Sequence, residues 1–516
     1  MTNTLDMTDI ESHEAVGTYI VSPGTDNKNL ASAADEKASV EHVAVLKKTA
    51  DGSTILIPQP CDDPEDTLNW SNRKKWRVLA VVAYCAAMPD SQAGFGIPLV
   101  VPQSVYWDIS IQDSGRSMSG NVFMIGVGSL LSVPLVQRYG RLPVLWWSMF
   151  LSFWMSLAAT LVPDHISFIV VRCLQTTFSA APQVIGLSFI YDMFFFHQHA
   201  RAIGIWAWAF VESPFVGPFI SGIIAQYYSW RHSFGACTAF TGVAALLVLL
   251  FGEETLYDRH DNAQVPPTPR SAKVRRFYML TGVRGAKVRG RLSLVTSTRR
   301  ILVVASKPYF LPLLISYGLS FMWSVGINTS LNLILFMPID DGGYSFSQLN
   351  VALLYIAPIA ATALGELFGH YFNDWVADKY IRKHDGKFDP EVRLWAAGIG
   401  QPFMIGGLTF LGFCLERHLS WVAIAFAWGI YVFGSLMTTV AITAYALDIF
   451  KEEAAEAAAL INFFRTIGGF IVNYFQVQWA AAAGSDASFG TQAAICALAW
   501  ILIGLVQWQG RNWRKN

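Results

Sequence analysis

The sequence is poor in charge: Asp, Glu, Lys and Arg make up 14% of its 516 residues, against roughly a quarter in ordinary soluble proteins. Its six cysteines stand singly, without metal-ligand spacing, so we expect small buried residues rather than disulfides or a metal site. It also lacks a GxxxxGK(S/T) phosphate loop, an HExxH motif and a GxSxG motif. Without a nucleotide site or clustered catalytic groups, we expect neither ATP-driven work nor an enzyme, and no cofactor.

Long apolar runs dominate the chain, of which 53% is hydrophobic. Beyond the first 75 or so polar residues they form roughly twelve runs of the length that crosses a bilayer as a helix. The predicted spans lie near 77–99, 117–137, 142–163, 166–190, 201–226, 232–251, 309–337, 348–372, 394–415, 420–446, 455–480 and 489–509. This pattern predicts an all-α membrane protein with twelve transmembrane helices in two six-helix halves, as in many secondary transporters.

The spans divide the chain into five segments. We predict a disordered acidic N-terminal tail, a six-helix half, a basic central loop, a second six-helix half and a short C-terminal tail, at 1–75, 76–252, 253–307, 308–510 and 511–516. Residues 1–68 hold thirteen Asp or Glu against four Lys and no long apolar run, which predicts disorder. No signal-peptide pattern follows the first Met, so we expect the first span to direct insertion.

Basic residues are unevenly distributed between the short loops. One set of loops carries Arg138, Arg141, Arg201, Lys379, Arg382, Lys383, Lys387, Arg393 and Lys451. The alternate loops carry only Arg116, Arg231 and Arg417. The positive-inside rule then predicts that both termini are cytoplasmic. The basic central loop is predicted to lie on anionic lipid, with a regulatory or partner-binding role as the alternative.

Several ionisable residues fall inside predicted spans, where each costs roughly 3 kcal/mol on insertion scales. They include Asp90, Arg172, Glu212, Glu366 and Arg465. A carboxylate in a partly dry cavity can load and release protons near neutral pH. Alternatively, Asp90 or Glu212 pairs permanently with Arg172 or Arg465 and only joins spans. We favour a proton- or substrate-carrying role for Asp90 and Glu212, and consider a gate position for Glu366.

Aromatic and amide residues inside the spans predict the rest of an amphipathic pocket for an organic solute. The candidates are Trp206, Trp208, Asn328, Asn332, Tyr445, Asn462, Asn473 and Gln476. Each Trp taken alone is more typical of a packing or interfacial residue than of a ligand contact. The type of solute is left open by these residues.

Short motifs occur in a fixed order along residues 60–516. They are Asp63-Pro64-Glu65-Asp66 through Asn69-Trp70-Ser71, Arg138-Tyr139-Gly140-Arg141, Arg172 to Gln175, Asp192-Met193-Phe194-Phe195 to His197, Gly217-Pro218 with Gly222, Glu254-Thr255-Leu256-Tyr257, and Phe388-Asp389-Pro390-Glu391 with Arg393-Leu394-Trp395. In order and placement they resemble the major facilitator superfamily. The nearest likeness within it is to fungal twelve-span drug:proton antiporter-type permeases, including the branch of the yeast polyamine and cation permease.

This resemblance assigns roles to several residues. Arg172 and Gln175 match a span-four motif associated with proton coupling. The bend of Gly217-Pro218 with Gly222 matches a span-five motif associated with export, and Arg138, Gly140 and Arg141 match a conformational loop motif. Independently, Pro218 removes a backbone donor and the glycines permit close helix approach, although an ordinary packed kink would need the same residues.

The chain departs from the family pattern at five positions. Gln137 replaces a usual acidic residue, and Val133, Thr176, Ser213 and Ser221 replace usual glycines. We therefore expect the charge latch between the halves to be missing or carried elsewhere.

Together these features predict a transporter that works by alternating access and exports a small organic compound by proton antiport. The alternative is proton-coupled uptake of polyamines, other organic cations or a nutrient, and a minor third possibility is a membrane sensor. The expected partners are the organic substrate, protons and the lipid bilayer, with no nucleic acid. We expect a monomer in the plasma membrane.

Overall fold

The computed structural model describes residues 47, 58–61, 63, 66–257, 271–283, 291–339, 343–384, 389–450 and 452–515. Most of the predicted acidic tail and part of the predicted central loop therefore lie outside the described residues. The same holds for Pro64, Glu65, Lys387, Phe388 and Lys451, and for the side chain of His197.

Within the described residues, twelve long helices form the two predicted groups of six. They are α1 (Asn72–Phe95), α2 (Ile111–Tyr139), α3 (Arg141–Leu161), α4 (His165–Met193), α5 (Phe196–Tyr227), α6 (Trp230–Phe251), α7 (Leu311–Phe336), α8 (Gln348–Lys383), α9 (Trp395–Glu416), α10 (Trp421–Ile449), α11 (Ala454–Val472) and α12 (Ser485–Lys515). Eleven of them, α2 to α12, are long and apolar enough to cross a membrane. The helix α1 is less apolar, because Lys74 and Lys75 lie in its first turn and Asp90 and Gln92 near its end. The predicted all-helical architecture is confirmed.

The helix ends differ from the predicted span ends because hydropathy marks only the apolar segment. At the start of α2, the helix begins at Ile111 rather than 117, where the Ser110 hydroxyl accepts the Asp113 backbone N–H at 3.0 Å. The first span instead ends early, at Phe95, and is followed by a 3₁₀ turn and a short helix, Val100–Trp107. Two further short helices, Ala272–Thr281 and Leu294–Ala305, lie in the predicted central loop.

Each group of six helices has its own internal packing. In the first group α1 packs along α5 and α3 along α6, and in the second group α9 packs along α10 and α7 along α12. Gly400 of α9 and Gly434 of α10 lie against each other's backbone, so a side chain at either position would clash. The groups meet along two pairs of helices, α2 with α11 and α5 with α8. We call the groups the two halves below.

The loop between α2 and α3 lies on the face at which α1 begins and α12 ends, called the terminal face below. Gly140 has a φ of 107°, which side-chain-bearing residues rarely adopt, and this lets α3 start directly after α2. The Glu254 carboxylate accepts the backbone N–H groups of Arg141 and Leu142 at 3.2 and 3.1 Å, which caps α3. Arg141 also forms an ion pair with Asp192. These contacts join the ends of four helices in the first half.

Candidate functional site

A cleft lies between the two halves, and concave, mostly apolar regions of this kind are where proteins commonly bind small molecules. Its lining comes from α1, α2 and α5 of the first half and from α7 and α11 of the second. Most of the lining is apolar, and its polar side chains include Asp90, Asn328, Arg465 and Asn473. Because the last turns of α1 and the first turns of α2 contribute, the cleft extends from Asp90 away from the terminal face.

Asp90 and Arg465 form an ion pair at the inner end of this cleft. The Arg465 Nη2 donates to Asp90 Oδ2 at 2.8 Å, and Gln183 Nε2 donates to the same oxygen at 2.7 Å. The side chains of Asp90 and Arg465 are 12% and 5% exposed. Removing one partner of a pair this deeply buried leaves an uncompensated charge, which is strongly unfavourable.

Asn462 extends the pair into a network that joins the halves. Its Nδ2 donates to Ser129 Oγ at 2.7 Å and to Gln183 Oε1 at 2.9 Å, and its Oδ1 accepts from Arg465 Nε at 3.0 Å. We call Asp90, Ser129, Gln183, Asn462 and Arg465 the cross-half network. Three of its members belong to α1, α2 and α4, and two belong to α11. Any motion that separates the halves here must break these bonds.

Arg172 and Gln175 lie in a different polar cluster, inside the first half. Arg172 is fully buried; its Nη1 donates to Gln175 Oε1 at 2.7 Å and its Nη2 to the Gln92 backbone oxygen at 2.8 Å. The guanidinium also lies 4.9 Å from the centre of the Phe234 ring. Among the described residues no carboxylate lies within ion-pair distance of Arg172. The structure therefore pairs Asp90 with Arg465, and Arg172 holds α4 against α1.

Four further predicted site residues, besides Arg172 and Gln175, lie outside the cleft. Glu212 and Trp208 lie on α5 where it meets α8, and Thr362 of α8 lies beside the Glu212 carboxylate. Glu366 follows Thr362 by one helical turn. Tyr445 is buried near the terminal end of α10 and is absent from the cleft lining. All four lie at the depth along their spans that hydropathy predicts. Each helix is rotated about its axis so that these side chains do not line the cleft.

Of the remaining predicted pocket residues, Asn328 and Asn473 line the cleft, whereas Trp206, Asn332 and Gln476 do not. Sequence analysis missed two members of the cross-half network, Gln183 and Ser129. A signal for Gln183 was available, because an amide inside an apolar span is costly unless it has a partner. Ser129 carries no such signal, since serine is common at helix contacts in membranes.

A second contact joins the halves at the terminal face. Gln137 of α2 donates from Nε2 to Oε1 of Glu456 on α11, at 2.6 Å. The family pattern has an acidic residue at the position of Gln137. In this chain the acidic partner is instead Glu456, on the facing helix α11. The link expected to be missing or carried elsewhere is present here as an amide–carboxylate hydrogen bond.

Substitution Gln137→Glu should open the terminal face, because it places two carboxylates in contact across the halves. We expect roughly a tenfold shift toward the open arrangement, equivalent to about 1.4 kcal/mol. Distances between spin labels at the terminal ends of α2 and α11 measure this shift. Gln137→Met, which loses the hydrogen bond without adding charge, is the matched control and should move the distribution less. Identical distance distributions for Gln137→Glu and the wild type would contradict the latch.

The predicted bend motif in α5 lies at close helix contacts. A side chain at Gly217 would clash with the backbone of α1 at Ser91, and the Pro218 ring occupies the space that a side chain at Gly94 would need. Gly222 packs closely on α8, where a Cβ would lie 2.8 Å from the Ala352 side chain. The motif therefore sets the spacing of α5 from both α1 and α8.

A family model described as Major Facilitator Superfamily matches residues 79–473, from α1 to the end of α11. The chain belongs to the major facilitator superfamily. It is therefore a multi-pass membrane transporter of this superfamily rather than an enzyme, and transporters of this superfamily carry small substrates across the membrane.

Curated relatives and solved structures agree with this assignment. The chain is 26% identical over 434 residues to the efflux pump radE of Floropilus chiversii, covering 81% of this chain and 77% of that one. It is 24% identical over 416 residues to the MFS transporter cpaT of Aspergillus oryzae, covering 79% and 81%. The xylose transporter XylE from E. coli, in a partially occluded inward open conformation, superposes with a TM-score of 0.58 at 13% identity, covering 83% of this chain and 98% of that one. The similarity to XylE shows that the two proteins share a fold.

Proposed function

We propose that this facilitator exports a small organic compound by proton antiport. The observation that carries the proposal is the Asp90–Arg465 ion pair, which joins the two halves at the inner end of the cleft. The likeness to a relative named as an efflux pump supports the outward direction. In the proposal the chain belongs with the drug:proton antiporter-type permeases, whose loop and span motifs it resembles.

The network suggests how a proton and a solute exclude one another. Protonation of Asp90 removes the charge that holds Arg465, so the charge-assisted hydrogen bond between the halves weakens. Arg465 is then left buried without its counter-charge, which favours separation of the halves at this level. A solute that needs the ionised pair cannot share the cleft with the proton on Asp90. Mutual exclusion of this kind is the condition for obligatory exchange. Arg172 supports the coupling by holding α4, which carries Gln183, against α1.

The orientation and location form part of the same proposal. The terminal face carries Arg138, Arg141 and Arg393, which favours a cytoplasmic position for it and for both termini. The cleft then extends toward the outside, from which protons reach Asp90. We propose a monomer in the plasma membrane, since each chain holds a complete cleft between its own halves.

Proton-coupled uptake of a polyamine, another organic cation or a nutrient is the second candidate. It is favoured by one observation, the two acidic side chains Glu212 and Glu366, for which no described residue provides an ion-pair partner. The same cross-half network would then couple proton and solute moving in one direction. The two candidates differ in direction and share the cleft.

An untargeted comparison of metabolites inside and outside cells, with and without the transporter, tests the direction. For export we expect a compound that accumulates inside the deletion strain and is depleted from its medium, because its exit route is lost. Re-expression of the wild-type chain should restore the distribution. A compound that stays in the medium and is scarce inside the deletion strain would contradict export and support uptake.

A further inference from the structure

Two asparagine side chains in the cleft have amide atoms without hydrogen-bond partners. Asn328 of α7 and Asn473, the residue directly after α11, both line the cleft. Among the described residues, the Oδ1 of Asn328 and both the Oδ1 and the Nδ2 of Asn473 are buried and have no partner. Asn328 as a whole is only 5% exposed. A buried polar atom without a partner is costly, so these three atoms are available to a ligand in the cleft.

The other polar side chains of the cleft already have partners. The hydroxyls of Thr329 and Thr466 each donate to the backbone oxygen of the residue four positions earlier, at 3.2 and 3.0 Å. Asp90 and Arg465 are the only charged side chains among the described lining residues, and they bind each other. The cleft therefore offers a ligand no unpaired charge, which favours an uncharged molecule.

The two asparagines lie at one level of the cleft. A Cβ at Gly318 of α7 would lie 3.0 Å from the Phe464 backbone of α11. Further along α7, a Cβ at Gly326 would lie 3.1 Å from the Val472 side chain. The two helices therefore run in the same direction, and the asparagines follow the second contact by one or two residues. The asparagine after α11 comes eight residues beyond Arg465, a rise of about 12 Å from the ion pair.

The first half contributes apolar side chains at this level. A Cβ at Gly469, one turn before Asn473, would lie 3.1 Å from the Val122 side chain of α2. Met118 lies one turn nearer the start of α2 and packs with Ile97, and Val122, Met118 and Ile97 all line the cleft. The cleft thus combines a polar side, from the second half, with an apolar side from the first.

The free atoms of Asn473 are a donor and an acceptor on one planar group. This group is complementary to another amide whose N–H and C=O lie on the same side, as in a lactam or a primary carboxamide, because the two amides then exchange two hydrogen bonds. An ester only accepts and an ammonium only donates, so neither satisfies both atoms. The Oδ1 of Asn328 offers a second acceptor at the same level.

We propose that the cleft binds an uncharged organic molecule through a lactam or primary carboxamide group, and that Asn473 and Asn328 select this group. The Asn473 amide exchanges two hydrogen bonds with the ligand, and the apolar part of the ligand lies against Ile97, Met118 and Val122. This inference rests on the proposed function only in taking the cleft as the place where the solute binds, and it names the class of solute.

Binding to the full-length transporter in lipid nanodiscs tests the proposal. The probe is a tritiated δ-lactam with a hexyl tail. The competitors are the δ-lactone with the same tail, which lacks the N–H, and the piperidine with the same tail, which is a cation without a carbonyl. Empty nanodiscs measure partition into lipid. We expect the wild type to bind the lactam about tenfold more tightly than either competitor, because each competitor leaves buried amide atoms unpaired.

Variants at the asparagines should remove this preference. Asn473→Leu has a similar shape without hydrogen-bonding atoms, so its affinities for lactam and lactone should become nearly equal, and Asn328→Leu should reduce the preference less. Asn473→Asp replaces the donor by a negative charge and should bind the piperidine more tightly than the wild type does, a gain that misfolding cannot produce. Asn350→Leu changes an exposed asparagine of α8 outside the cleft lining and should bind all three compounds like the wild type.

Equal wild-type affinities for lactam and lactone, or an unchanged preference in Asn473→Leu, would overturn the inference. The proposed function can fail separately. A lactam preference that depends on Asn473, in a chain without proton-driven export, would contradict the proposed function and leave this site standing. Proton-driven export by a chain without any lactam preference would do the reverse.

Discussion

Asp90→Asn is expected to abolish transport driven by a pH gradient. Asn has the shape of Asp and cannot carry a proton, so the cycle loses its coupling to the gradient. Arg465 also loses its counter-charge, and breaking a buried pair costs about 3–5 kcal/mol. The measurement is solute flux in proteoliposomes, with and without an imposed pH gradient, alongside thermal stability. Full gradient-driven flux in this variant would remove Asp90 from the mechanism.

A double variant distinguishes coupling from simple joining of helices. Asp90→Asn combined with Arg465→Gln removes both charges, so the unpaired guanidinium is gone and thermal stability should largely recover. If the pair only holds the halves together, transport should recover with stability. In the proposed mechanism stability returns and gradient-driven transport does not. The exposed Asp108→Asn substitution serves as the control for neutralising a carboxylate elsewhere.

Gly217→Val is expected to destabilise the packing of α5 against α1. A side chain at this position meets the α1 backbone at Ser91, which cannot move aside as a flexible side chain could. Overpacking of this kind costs about 1–3 kcal/mol or more. The measurement is the fraction of folded, monodisperse protein that remains after heating in detergent, and we expect the midpoint to fall by several degrees.

Gly204→Val on the same helix provides the matched control. No atom lies within 4 Å of a Cβ placed at Gly204, and both substitutions replace helical glycine by the same residue. Intrinsic helix propensity therefore changes equally in the two variants. Equal stability of Gly217→Val and Gly204→Val would show that α5 does not need this close approach to α1.

The spans and the motifs could be predicted from the sequence because both depend on local information. An apolar run of sufficient length predicts a membrane helix wherever its partners lie. The depth of Asp90, Glu212 and Arg465 in the membrane follows in the same way, from their position along each run. The ends of helices were less predictable, because caps such as Ser110 lie beyond the apolar segment that hydropathy detects.

The direction in which a side chain points could not be predicted in this way. Spans such as α5 and α10 are apolar on nearly all sides, so no amphipathic pattern shows which side meets another helix. Asp90 and Glu212 fall at similar depths in first-half helices, yet only Asp90 lines the cleft. Depth alone predicts Tyr445 and Trp208 in the pocket, whereas neither lines the cleft.

The membrane class, the two groups of six helices and the superfamily follow from the linear chain, because hydrophobic length and motif order are properties of that chain. Which charges meet depends on the folded arrangement of the helices. Asp90 pairs with a residue 375 positions away, Arg172 is held by backbone and amide oxygens, and Glu212 lies where α5 meets α8. These outcomes depend on how each helix is rotated and on which helices of the opposite half it touches. Neither is encoded by any local run of residues.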